Sequence, residues 1–139
     1  MGNIEFDEKI DDPNFKVCDE DQVRQYYNFS KGFQYKGEKA RVHEHFKNGL
    51  KDKEQVDETG FLTIRFIVNC EGVTGRFRIQ GMDAGYNEKE FNKEIVAEFL
   101  VLTKKLDGWV IGEEEGIKRD YYQYLTFKLE NGKLREIMP

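Results

Sequence analysis

His43-Glu44-His45 is where residue types in this chain first point to metal chemistry, but the spacing works against it. On a helix two ligands converge when they stand four apart; residues two apart face different ways, so the triplet reads as a solvated helix face. The chain has two histidines, and a triad or zinc cage would have to recruit both. Cys70 sits among strand-forming residues with no helix N-terminus or neighbouring base to lower its pKa, so a catalytic thiol is not expected. Glu113-Glu114-Glu115 lacks the alternating carboxylates and fixed glycine of a calcium loop and reads as a solvated loop. No catalytic residue, metal site or cofactor follows, and no enzymatic activity is expected.

Two constellations fit binding instead. Arg65, Arg76 and Arg78 fall on the outward face of a strand pair, where they either form an anion-binding patch or keep an exposed sheet soluble. Tyr121, Tyr122 and Tyr124 offer rings for stacking on a peptide or sugar, and are equally good strand formers for core or edge packing.

The elements that position these residues follow from hydrophobic periodicity. In "GFLTIRFIVNCEGVTGRFRIQG", Leu62, Ile64, Phe66, Val68 and Cys70 alternate with Thr63, Arg65, Ile67 and Asn69. That period of two marks a strand with one buried face. Glu71-Gly72 supplies the turn, and the return strand places Phe77 and Ile79 inward and Arg76, Arg78 and Gln80 outward. From Asn87 to Leu106 the period becomes helical, with Phe91, Ile95, Phe99, Leu102 and Leu106 on one face and Asn87 as the cap. Trp109 follows, then a loop, then a strand over Tyr121–Glu130; Asn131-Gly132 matches a tight hairpin turn into a short fourth strand. Upstream, Asp19 and Gln22 have capping-box spacing for a short helix carrying Val23, Tyr26 and Tyr27 inward. A second helix over about Glu38–Leu50 lines up Val42, Phe46 and Leu50. Residues 1–17 are acidic and read as extended or mobile with Phe15 as anchor, and residues 18–139 as one domain. The predicted class is α+β, an antiparallel sheet of three to four strands with a ββαβ core, a helix on one face and two N-terminal helices.

Length and composition agree with this. At 139 residues the chain holds one core, and eleven Phe and seven Tyr supply it although charged residues reach 35%. A net charge of −5 disfavours nucleic acid, whose binding needs clustered cations. No apolar run approaches the ~20 residues of a membrane span. Met1-Gly2 fits a natural start or a remnant on a fragment whose leader was removed.

In their order, these residues resemble the C-terminal domain of TonB, and more closely the TonB-like envelope proteins of outer-membraned bacteria. The resemblance runs over about residues 13–130: "PNFKVCDEDQVRQYY", Tyr35 and Gly37, Gly60 opening a strand, "FIVNCEG" at the turn, the helix from about Asn87, "LDGW", Gly116 and "YYQYLTFKL". It implies a periplasmic or cell-envelope protein that is not an enzyme and binds another envelope protein or peptide by strand addition. The chain departs from the family in having no transmembrane helix or Pro-rich spacer, Lys36 where Pro is frequent, and Ile111 where Pro often follows the Trp. Within such a protein Cys18 and Cys70 are either a disulfide or buried free thiols; a bridge over roughly fifty residues contributes ~4 kcal/mol in the chain-entropy model. The alternative function is a small-ligand or glycan-binding domain using the outward sheet face. A strand after Asn131-Gly132 would cover the edge that TonB uses, leaving partners the edge near Arg76–Gln80, where the arginines favour an acidic segment.

Overall fold

A computed structural model describes residues 2–28, 35–50 and 58–139. Among them the chain runs through Arg24–Gln25 (β1), helix Glu38–Gly49 (α1), Gly60–Val68 (β2), Thr74–Met82 (β3), helix Lys93–Lys104 (α2), Gly112–Glu114 (β4), Ile117–Arg119 (β5), Tyr121–Glu130 (β6) and Lys133–Met138 (β7). The class is α+β, with a five-stranded sheet in the order β1-β6-β2-β3, β7 also pairing with β6, and a separate β4-β5 hairpin. The expected connection through residues 51–57 lies outside the described residues.

The sheet is mixed, which corrects the purely antiparallel sheet of three to four strands. β6 is ten residues long, so its outer side takes β1 in parallel at Tyr121-Tyr122 and β7 antiparallel from Thr126 to Glu130. The first of the two expected N-terminal helices is also absent. Asp19 does cap, accepting from the Asp21 N–H, but the turn it starts is a 3-10 turn over Glu20–Gln22. The Arg24 N–H then bonds the Asp120 carbonyl at 2.9 Å, and this pairing with the sheet outweighs a weak local helical preference.

α1 matches its predicted span, and α2 is six residues shorter at its start than predicted. Asn92, not Asn87, caps it, accepting from the Glu94 and Ile95 N–H groups. Asn87 is held in a turn by Asp83, and the Lys89 N–H bonds Gly81 on the outer side of β3, so residues 87–89 belong to the sheet edge. The helical phase holds: Ile95, Phe99 and Leu102 are buried with Phe46 and Phe127, and Phe99 lies 4.6 Å from Phe127 between ring centroids. Trp109 closes the end of this core against Phe66 and Tyr35. Asn131 and Gly132, both at positive φ, form the turn between β6 and β7 that the Asn-Gly pair predicts.

Candidate functional site

The three arginines do share a face, the one opposite α2. Arg65 and Arg78 are register partners, and a bulge beside Arg65/Ile67 puts Arg76 at φ +55° and turns it to the same side. There they meet the chain's own N-terminal segment. Arg78 grips Asp11 with two bonds of 2.8 and 2.7 Å and donates to the Glu5 carbonyl. Arg76 pairs with Glu20 and donates to the Ile4 carbonyl at 3.2 Å. Arg65 donates to the Gly2 carbonyl and lies 4.8 Å above the Tyr122 ring. The bond from Arg78 holds the Asp11 carboxyl below its ordinary range, and burial lowers the Arg65 guanidinium. A small apolar cluster of Ile4, Phe15, Ile67 and Tyr122 fixes the segment. Gly75 lets it sit close: a Cβ there would stand 2.3 Å from the Phe15 ring.

A covalent and a polar clamp secure the other end of this strap. Cys18 and Cys70 are bridged, their Cα atoms 6.1 Å apart. Beside them Asp120, almost fully buried, accepts the Cys18 and Cys70 N–H groups on one oxygen and the Asp19 N–H on the other, at 2.9–3.0 Å. The two sulfurs and this carboxylate lie within 4.8 Å of one another, but the sulfurs are joined and the oxygens already accept N–H groups, so a metal finds no ready ligands. Nothing in the sequence singled out Asp120; its role depends on two loops fifty residues or more away meeting at its carboxylate.

The tyrosines divide between the faces. Tyr121 is in the main core, donates to the Val110 carbonyl at 2.7 Å, and burial raises its pKa. Tyr122 belongs to the strap cluster. Tyr124 meets Tyr26 edge-on at 5.5 Å, and burial together with that neighbour pushes Tyr26 up to about 12. His43 is exposed, and His45 Nε2 lies 2.8 Å from the Leu102 carbonyl, so the two diverge. Glu114 pairs with Arg24 at 3.0 Å, and Glu115 sits in the β4-β5 turn.

The remaining feature is the outer edge of β3. In an antiparallel strand one residue's N–H and C=O point to the same side. Gly81 accepts from Lys89 on the outer side, so Ile79, two residues earlier, also directs its N–H and C=O outward, where none of the described residues pairs with them. The Ile79 side chain points toward α2 and remains 42% exposed. Between it and α2 lies a cleft of about 740 Å³ whose apolar wall includes Leu62, Ile79, Phe91, Val96, Ala97 and Leu100. The α2 part of that wall is a second apolar flank of the helix, which the single predicted stripe omitted.

Fold and site thus define an α+β protein with one strapped sheet face and, among the described residues, a sheet edge left unpaired at Ile79. Comparisons with protein-family models, curated proteins and solved structures gave no match.

Proposed function

We infer that this chain is a TonB C-terminal-like interaction module of the cell envelope, which holds a protein or peptide segment by strand addition and carries out no reaction. One observation carries the reading: the sheet face opposite α2 is filled by the N-terminal strap, while on the outer edge of β3 none of the described residues pairs with the backbone of Ile79. Strand addition needs such an edge, because main-chain bonds to it supply affinity while pockets for alternate side chains supply specificity. The position of β2 between β3 and β6, with α2 following β3, supports this reading. The alternative, a small-ligand or glycan domain on the outward face, has less support, because Arg65, Arg76 and Arg78 already bond the strap.

The periplasm is the proposed compartment. A disulfide between Cys18 and Cys70 supports it, since such bonds persist where thiols are not kept reduced. Fractionating the source cells with thiols alkylated at lysis tests the reading. It predicts recovery in the envelope or periplasmic fraction with both cysteines refractory to alkylation until reductant is added. Recovery in the cytoplasm with two alkylated thiols would contradict it.

A further inference from the structure

We propose that Asp120 is the positioning residue for formation of the Cys18–Cys70 bond: in the reduced chain its carboxylate gathers both cysteines, so that oxidation follows the fold. This is independent of the interaction-module reading.

None of the polar bonds around the pair passes through sulfur. One Asp120 oxygen accepts the N–H groups of both Cys18 and Cys70, at 3.0 and 2.9 Å, and the other accepts the Asp19 N–H at 2.9 Å. A shared acceptor fixes the two cysteine backbones relative to each other, which separate acceptors would not. Asp120 is itself held in place, since its carbonyl accepts the Arg24 N–H at 2.9 Å and the next residue, Tyr121, is fully buried. Asn69, also buried, adds a second tie beside Cys70. Its side-chain amide donates to the Lys16 carbonyl at 2.9 Å, while its Oδ1 accepts from the Glu71 and Val73 N–H groups. The cysteines therefore lie between two noncovalent ties, one from Lys16 to Asn69 and one from Cys18-Asp19 to Asp120. Holding two reacting groups in this way turns an encounter into an intramolecular step.

Exposure sets the order of events. Cys18 is exposed and Cys70 half-buried. A small disulfide RSSR, such as oxidised glutathione, meets the Cys18 thiolate first, giving a mixed disulfide at Cys18 and one RS⁻. The Cys70 thiolate then attacks the Cys18 sulfur and expels the second RS⁻. The small disulfide takes the two electrons, and the two cysteine protons finish on two RSH.

Equilibrating the intact chain in glutathione redox buffers measures the effective molarity of the pair. Asp120→Ala should lower it at least tenfold. Asp120→Asn keeps one oxygen for both cysteine N–H groups and should stand at least threefold above Asp120→Ala. Ile95→Val loosens the opposite face and should stay within twofold of the unsubstituted chain. In a chain that remains folded, stability lost elsewhere does not move this local equilibrium, so an Asp120 with a merely structural role would behave as that control does. An effect of twofold or less from Asp120→Ala would overturn the proposal, and an Asn variant as low as the Ala variant would overturn the shared oxygen. The unsubstituted chain supplies a check that needs no variant, and so stands even where Asp120→Ala does not fold. In its reduced form the Cys18 and Cys70 amides should remain at least a hundredfold protected from hydrogen exchange; exchange at the rate of an unstructured chain would overturn the proposal.

Discussion

The two faces of the central sheet are covered by different physical means. On the α2 side, Phe46, Phe99 and Phe127 interlock with aliphatic residues of β2 and β6 in one continuous core. On the other side an irregular segment is held by four apolar residues, two Arg–carboxylate pairs and a disulfide. The first face is secured by area removed from water, which is local and needs no cross-link. An irregular strap buries too little to secure itself, so covalent and charge-assisted bonds stand in for area. Material on both faces leaves the sheet's edges as its accessible backbone, and the outer edge of β6 is largely taken by β1 and β7.

The largest expected effect tests the first face. Phe99→Ala should cost about 3–5 kcal/mol by leaving a cavity between Phe46 and Phe127. A chemical-denaturation midpoint equal to that of the unsubstituted chain would show that the face does not depend on this interlock.

Next in size is the strap's cross-link. Replacing both cysteines by serine should lower global stability by about 2–4 kcal/mol and raise proteolytic cleavage within residues 2–17 far more than elsewhere. Uniform cleavage along the chain would mean the two faces are one cooperative unit, which breaks the comparison.

Smaller still is the Asp11–Arg78 pair, about 1–2 kcal/mol because Arg78 is partly solvated. The Asp11 pKa is depressed from 3.8 in the folded state. Its contribution is therefore complete above about pH 4 and is lost as pH falls through the lower folded value. Asp11→Asn should flatten the stability-versus-pH curve below pH 4 and leave its shape unchanged at neutral pH. Identical curves for the two proteins would remove Asp11 from the account of the strap.

Two isoleucines show how far the sequence could be read. Periodicity predicts Ile67 outward and Ile79 inward, yet Ile67 is fully buried and Ile79 is 42% exposed. Each residue does point to its predicted face. What alternation does not encode is whether that face is covered at that position: Ile67 lies under the strap, and Ile79 lies at the edge beyond the reach of α2. The span of β6 and the phase of α2 were legible because they are local patterns of one period. The arginines were legible as one face, but their partners Asp11 and Glu20 belong to an acidic N-terminus without periodicity. Asp120 was invisible because its three N–H donors are brought together only by the fold. The β1–β6 pairing was hidden for the same reason, since a two-residue parallel bridge leaves no sequence pattern.

Amide hydrogen exchange along β3 tests most directly the claim that this edge is unpaired at Ile79 among the described residues. Arg78 and Gln80 direct their N–H groups to β2, and Ile79, between them, directs its own to the cleft. The account predicts that Ile79 exchanges at least a hundredfold faster than Arg78 and Gln80 in the oxidised chain, and that a bound extended peptide removes the difference. Equal protection at all three positions in the free protein would contradict it, because the edge would then already be paired.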